Sequence, residues 1–324
     1  MKDKLLLILL LQTTLISFSA TKNKNKTKKD NNVEIIKSKF FLTPFIINEE
    51  NYLTINNIYE DRKFINYKPN INSSLGITIG IYRASLTLAF KLPKYDYLGE
   101  TKIKRFNFDY QMKHFGFSLF YNKYDGVLLK NPNDFIMPIG SSNFRKDVTL
   151  WYMGFNTKYI FNNRFSINAS TKQTERQKKS AGSFMFLIGN TFYGFDADSS
   201  FIIGSEQKYY PVATNLNSIY TSSFKYIPGA GYTFIFGKDI SFTTTLFTGF
   251  DLQLKFYMEN NLNKIDVGLP FYLKTTNILG YNGEYFYTNL VYSFELNRIT
   301  FNDSSFNLFI NYFKISAGYR FLLK

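Results

Sequence analysis

Ile240–Met258 (ISFTTTLFTGFDLQLKFYM) alternates along most of its length. One face carries Ile240, Phe242, Leu246, Phe250, Leu252, Leu254 and Phe256. The other carries Ser241, Thr243, Thr245, Gly249, Asp251, Gln253 and Lys255. Successive side chains of an extended chain point to opposite sides, so a period of two marks a strand whose faces meet different surroundings. Length adds the decisive constraint. Strands of soluble sheets run about five or six residues, whereas a tilted strand needs about 9–11 to cross a bilayer. This stretch is long enough to cross.

The same pattern recurs outward along the chain. In Ile71–Tyr82 the apolar set is Ile71, Leu75, Ile77, Ile79 and Ile81, against Asn72, Ser74, Gly76, Thr78 and Gly80. Arg164–Arg176 places Phe165, Ile167 and Ala169 against Ser166, Asn168, Ser170, Lys172, Thr174 and Arg176. Such segments predict strands near 37–48, 71–82, 84–92, 101–111, 115–129, 147–161, 164–177, 181–195, 223–237, 240–257, 270–282, 284–296 and 307–323. Asn162-Asn163, Gly237-Lys238-Asp239 and above all Asn282-Gly283 read as hairpin turns. Longer connections fall near 130–146, 196–222 and 258–269. The expected fold is all-β, an antiparallel transmembrane β-barrel, with the apolar faces on lipid and the polar faces on an enclosed lumen. Tyr82, Tyr95, Tyr97, Tyr121, Tyr124, Tyr159, Tyr281 and Tyr285 would form its interfacial girdles.

Thirteen segments conflict with the even strand number of bacterial single-chain barrels. A turn at 162–163 also puts the long 196–222 connection on the side of the short turns. About twelve strands are expected, within a range of ten to fourteen.

Composition agrees with this reading. Aromatic residues make up 19% of the chain (36 Phe, 25 Tyr, one Trp), yet mean hydropathy is −0.19. No apolar run beyond the first twenty residues approaches the roughly 18 that a membrane helix needs. The absence of cysteine excludes disulfides, thiolate metal sites, cysteine nucleophiles and amino-terminal lipid anchors. Met1–Ala20, with Lys2 and Lys4 ahead of Leu5–Leu11 and small residues at Ser17, Ser19 and Ala20, reads as an export signal. Residues 21–33 form a basic, low-complexity leader, and 34–324 a single barrel domain. The net charge of +15, of which residues 21–32 carry +4, suits outer-membrane lipid and lipopolysaccharide better than nucleic acid once export is granted.

Several phrases carry a family resemblance: Tyr67-Lys68-Pro69-Asn70 followed by Leu75-Gly76, Lys91-Leu92-Pro93, Glu175 to Phe184 (ERQKKSAGSF), Ala197-Asp198-Ser199-Ser200, and the terminal Gly318-Tyr319-Arg320-Phe321. Over roughly 35–324 the chain resembles an uncharacterised Bacteroidota family catalogued as a domain of unknown function, with members predicted to be outer-membrane barrels. The resemblance implies the barrel and a Bacteroidota source. It implies no activity and no site residues.

Candidate chemistry is sparse. His114 is the only histidine, and in Lys113-His114-Phe115 it falls at a turn, where a solvated polar residue fits better than a catalytic base. Neither a catalytic set, a cofactor site nor a metal ligand spacing is found. Alternation points Arg105, Asp109, Lys158, Lys172, Arg176, Asp251, Lys255, Glu295, Lys314 and Arg320 into the lumen, either as a salt-bridge network or as a pore with some preference for anions. Glu175, Arg176, Lys178 and Lys179 form a charged turn, either solvated or in contact with the lumen, a partner or an anionic lipid. Phe313, Ile315, Ala317, Tyr319 and Phe321 on the last strand resemble the signal read by the barrel-assembly machinery.

The leading expectation is a non-enzymatic barrel, a small channel or structural surface protein whose solute is unknown. The alternatives are a carrier for hydrophobic compounds, with Phe40–Asn57 as its plug, and a membrane-embedded lipid hydrolase using His114.

Overall fold

The polar face of Ile240–Met258 is the buried one. Asp251 is 1% exposed and Lys255 2%, whereas Phe250 is 65% exposed. Ile240, Leu246 and Leu252 share its exposed side, and Ser241, Thr243, Thr245 and Gln253 its buried side. Leu75, Ile79 and Ile81 repeat the inversion opposite buried Ser74. Water-soluble proteins put charge outside and large apolar side chains inside. A wall with acyl chains outside and an enclosed polar interior reverses that distribution.

The computed structural model describes residues 32–322 except 37, 60–63, 72, 82, 94–98, 131–142, 203, 212, 260–261 and 302–303. The export segment (1–20), nearly all of the basic leader (21–33), and Tyr82, Tyr95 and Tyr97 lie outside the described residues. Its strands are β1 (Val33–Ile35), β2 (Ser38–Asn57), β3 (Phe64–Lys68), β4 (Ser74–Ile81), β5 (Ala84–Lys91), β6 (Lys102–Gln111), β7 (Phe115–Lys130) and β8 (Phe144–Ile160). There follow β9 (Glu175–Gln177), β10 (Ala181–Asp196), β11 (Ser218–Phe236), β12 (Ile240–Glu259), β13 (Leu262–Gly268), β14 (Phe271–Asn282), β15 (Phe286–Thr300) and β16 (Ser304–Leu322).

Twelve of these close a ring of antiparallel ladders, β2-β4-β5-β6-β7-β8-β10-β11-β12-β14-β15-β16 and back to β2. Each of the twelve pairs on both sides, so none is a free edge along its whole length, although β5 and β6 share only four pairs. β16 pairs β15 and β2, and its exposed Phe313, Ile315, Tyr319 and Phe321 sit on the outer face of that seam. No helix among the described residues is long and apolar enough to cross a membrane. The chain crosses with strands.

Two wall positions are built from two pieces. β13 and β14 follow one another along β12, interrupted at Leu269-Pro270, and β3 and β4 follow one another along β2, interrupted after Lys68 by Pro69. Proline has no amide to donate, so the ladder breaks there. β3 also pairs β7, bridging above β4, β5 and β6.

The odd predicted strand is 164–177. It holds a four-residue helix α1 (Asn168–Thr171) and β9, which pairs only with β1. Phe165, Ile167 and Ala169, expected to face outward, are buried along with Ser166, Asn168 and Ser170. A period of two in a segment buried on all sides imitates a strand. With it removed, twelve strands remain and the parity conflict disappears: 161–180 closes one barrel end and 197–217 the other.

Three further expectations change. Phe40–Asn57 is no plug but most of wall strand β2, and 258–269 contains β13 rather than a loop. Tyr124 is not a girdle residue; it is 2% exposed and points inward. Just beyond it, Gly126 adopts φ +82° at a bulge between Asp125 and Val127. The extra residue shifts the alternation, turning Val127 and Leu129 into the interior. Tyr159, Tyr281 and Tyr285 are exposed on the outside.

A lipid-facing wall makes a direct prediction. Leu246→Arg will lower folding stability in lipid vesicles by about 2–4 kcal/mol if Leu246 sits near the bilayer midplane. A titration of folding yield against urea measures it, and an unchanged midpoint would contradict a lipid-facing Leu246.

Candidate functional site

The interior divides into an apolar end, a charged middle and a hydrogen-bonded end. At the apolar end, residues 197–217 turn into the barrel mouth. Phe201, Ile202, Tyr210, Ala213 and Leu216 are all at most 2% exposed, and they pack among Leu53, Ile55, Tyr67, Ile219 and Phe306 of the wall. Backbone polar groups carried inward need partners. Tyr67 Oη donates to the Phe201 carbonyl at 2.6 Å, and Arg145 Nη1 to that of Ser200 at 3.3 Å. Arg145 is itself held by Asp147 at 2.5 Å.

At the other end, residues 161–180 are fastened by polar groups. Arg320 Nε donates to the Gln173 carbonyl at 2.6 Å, and its Nη1 to those of Gly283 at 2.5 Å and Glu284 at 3.0 Å. Asn282 Nδ2 donates to the carbonyls of Ala169 at 3.1 Å and Glu175 at 2.9 Å. Gln173 (φ +56°) donates from Nε2 to Asn289 Oδ1 at 2.6 Å. Phe165 and Ile167 reach a small apolar cluster with Met185, Ile227, Phe247 and Tyr272.

Between the two lie adjoining cavities of about 300 and 250 Å³. Both are lined by Thr87, Asp109, Ser118, Lys158, Lys274, Tyr312 and Lys314. The first adds the buried pair Arg105–Glu49, and the second adds Lys172. Glu295 binds Lys274 at 2.6 Å and Lys225 at 3.4 Å, and accepts from Tyr272 Oη at 3.1 Å. Asp109 accepts from Ser118 Oγ at 2.6 Å. Lys158 Nζ lies 5.8 Å above the Phe247 ring and Lys314 Nζ 5.3 Å above that of Phe45.

Arg105, Asp109, Lys158, Lys314 and Glu295 therefore gather around one chamber. Asp251 and Lys255 are buried but stand apart from it. Asp251 accepts from Gln253 Nε2 at 3.0 Å and from Ser223 Oγ, and Lys255 pairs with Asp266 at 2.6 Å. Lys172 and Arg176, expected on a wall strand, belong to the inward segment instead, and Arg320 anchors that segment. Lys172 donates to the carbonyls of Arg83 and Asp109 at 3.2 and 3.1 Å, and Arg176 lies 3.6 Å from Asp239 and 3.7 Å from Glu34. In the charged turn, Glu175 accepts from Ser166 Oγ at 2.5 Å, Lys178 pairs with Glu34 at 3.4 Å, and Lys179 is exposed.

Sequence reasoning missed Lys274, Lys225 and Glu49. Lys274 shares its inward face with Tyr272 and Ile278, which blurs the alternation. Lys225 follows Thr221 and Ser223 on the buried face of β11, so a strand extended back to Ser218 would have flagged it.

His114 Nδ1 donates to the Ile160 carbonyl at 2.8 Å, and the ring stacks on Tyr159. That bond occupies one ring nitrogen with backbone and pairs it with no nucleophile. Among the described residues no cluster of three or more metal-ligating side chains occurs.

Similarities to solved structures are distant. The outer-membrane protease OmpT of Escherichia coli is 9% identical, with 92% of this chain and 99% of that one covered and a TM-score of 0.41. For the translocator domain of the autotransporter NalP of Neisseria meningitidis the values are 9%, 87%, 89% and 0.38. For the toluene transporter TodX of P. putida they are 7%, 89%, 91% and 0.30. At such values none of these names transfers an activity. No curated protein matches the chain. The family model described as "Domain of unknown function (DUF4421)" matches residues 17–321, and the chain belongs to that family.

Proposed function

We propose that this chain is a non-enzymatic protein of the Gram-negative outer membrane, exported through a signal peptide over residues 1–20 that is cleaved after Ser19 or Ala20, with a barrel that rests closed. One observation carries the reading. Each barrel mouth is filled by the chain's own segment, packed through apolar side chains at one end and through Arg320 and Asn282 at the other. An open pore would leave a continuous polar path between the mouths. The end that holds Ser38 and Leu322 has short turns at all of its connections but 161–180, whereas the other end has longer connections at all but the β12–β13 and β15–β16 turns, an asymmetry that favours a periplasmic position for Ser38 and Leu322. The lysines and acids around the chamber disfavour a wholly hydrophobic cargo.

Planar-bilayer recording of the refolded full chain tests this. The expected trace is silent at low voltage. Stable ohmic steps from the unmodified protein would refute a closed resting barrel.

A further inference from the structure

The chamber departs from the charge pairing seen elsewhere inside this barrel. Arg105 faces Glu49, Arg145 faces Asp147, and Lys255 faces Asp266. Lys274 has Glu295, but shares it with Lys225. Lys158 and Lys314 have no carboxylate within ion-pair distance among the described residues, and each rests over an aromatic ring instead. Around the second cavity four lysines (158, 172, 274 and 314) face one acid, Asp109. An ammonium held away from bulk water loses hydration that only a counter-charge or hydrogen-bond acceptors restore. A purely structural network would supply that charge from its own carboxylates. This one leaves it to be supplied from outside.

We infer that the chamber bounded by Lys158, Lys274 and Lys314 is an anion-binding site for a phosphate group. Lysine serves phosphate as a mobile point charge. A dianion with several oxygens can engage ammonium groups from β8, β14 and β16 together, with the Tyr312 hydroxyl beside them, where a single carboxylate would leave one lysine uncompensated. Cavities of about 300 and 250 Å³ admit a phosphate or a small phosphomonoester.

The wall shows a route that avoids both filled mouths. The ladder between β5 and β6 holds four pairs, from Ala84↔Tyr110 to Thr87↔Asn107, and then stops. Leu88–Phe90 pair only with β4 and Lys102–Phe106 only with β7, and at the far end of the fork Lys91 Nζ spans it to Glu100 at 2.5 Å and to the Thr101 carbonyl at 3.0 Å. Ala89 and Arg105, which lie just beyond the last pair, line the chamber. The phosphate entering by this fork is either free or the headgroup of a lipid. The inference goes beyond the closed-barrel reading, which requires no ligand.

The test uses the full chain refolded in an amine-oxide detergent, which carries no phosphate. Inorganic phosphate is titrated calorimetrically at constant ionic strength, with chloride as the reference anion. Saturable binding is expected for phosphate and not for chloride. The Lys158→Met/Lys314→Met variant should bind at least tenfold more weakly, while Lys158→Arg should bind as the unmodified chain does. Heat-modifiability on gels confirms that each variant is folded. Displacement by methyl phosphate identifies a free phosphomonoester, and displacement by lipid A in mixed micelles identifies a headgroup; either supports the site. No saturable phosphate binding by the unmodified chain, or equal binding by the double variant, overturns it. A conducting barrel that binds phosphate leaves the site standing, and a silent barrel that does not bind removes the site alone.

Discussion

Replacing both inward segments by short glycine-serine linkers will turn a silent barrel into a conducting one. The wall permits the experiment, because β10 is already paired to its neighbours at both ends. Met185 lies opposite Ile160 at one mouth and Asp196 opposite Ser218 at the other, so adjacent strands need only a few residues to connect them. Residues 164–179 and 199–215 are thus excisable without stretching a ladder. Each single deletion should stay nearly silent, since the other mouth remains filled. The double deletion should raise bilayer conductance by at least about tenfold, as a twelve-strand barrel is wider than the eight-strand case that side chains alone can fill. Gel mobility before and after boiling shows whether the ring still forms. If a folded double deletion passes no current, the closure lies in the wall residues and the closed-barrel argument is wrong in its central point.

The second large effect is expected at Arg320. Its guanidinium is 1% exposed and donates to three backbone carbonyls and to Asn282 Oδ1. Arg320→Leu leaves three buried acceptors, the Gln173 and Gly283 carbonyls and Asn282 Oδ1, without their donor, while the Glu284 carbonyl can turn to water. At roughly 1–3 kcal/mol for each buried group left unmade, partly relieved by water, the loss should be about 3 kcal/mol or more. Urea midpoints of the refolded protein in micelles measure it. Trypsin should then cut within 161–180, where Arg164, Lys172, Arg176, Lys178 and Lys179 offer sites. Arg176→Leu provides the contrast. It makes one bond to a backbone carbonyl, that of Asn282 at 3.1 Å, and ion pairs of 3.6 and 3.7 Å to partly exposed acids, so its loss should cost about 1–2 kcal/mol, less than that of Arg320. An Arg320→Leu protein with the parent's midpoint and tryptic pattern would show that the segment is held by its apolar residues alone.

The inverted faces of 71–82 and 240–258 were legible because a strand reports both of its surroundings in alternate residues, and lipid differs sharply from a polar lumen. The segment 164–177 misled for the same reason. Phe165, Ile167 and Ala169 alternate with Ser166, Asn168 and Ser170, but Ser166 Oγ and Asn168 Nδ2 donate to Glu175 and Ser170 Oγ to the Ile167 carbonyl rather than facing a lumen. Local periodicity records which neighbours are apolar. It does not record whether those neighbours are lipid or the inside of the barrel.

The candidate chamber was half legible. Arg105, Asp109, Lys158, Lys314 and Glu295 follow from alternation alone. That Glu295 is shared between Lys274 and Lys225, leaving Lys158 and Lys314 unmatched, depends on which strands face each other across the lumen. Lys274 lies directly opposite Glu295 on the neighbouring strand, but Lys225 is 70 residues from Glu295 and meets it only inside the closed ring.

What the amino-acid order determined by itself is the wall: strand type, strand length, the lipid-facing side, and a count near twelve. These are properties of residues one or two positions apart, set by backbone geometry and by transfer between lipid and water. Only the folded ring decided what fills it. Two segments whose own sequences do not announce their place, one of them patterned like a strand, enter the mouths because wall residues from many strands converge there, and the cavities between them exist only once the last ladder has closed.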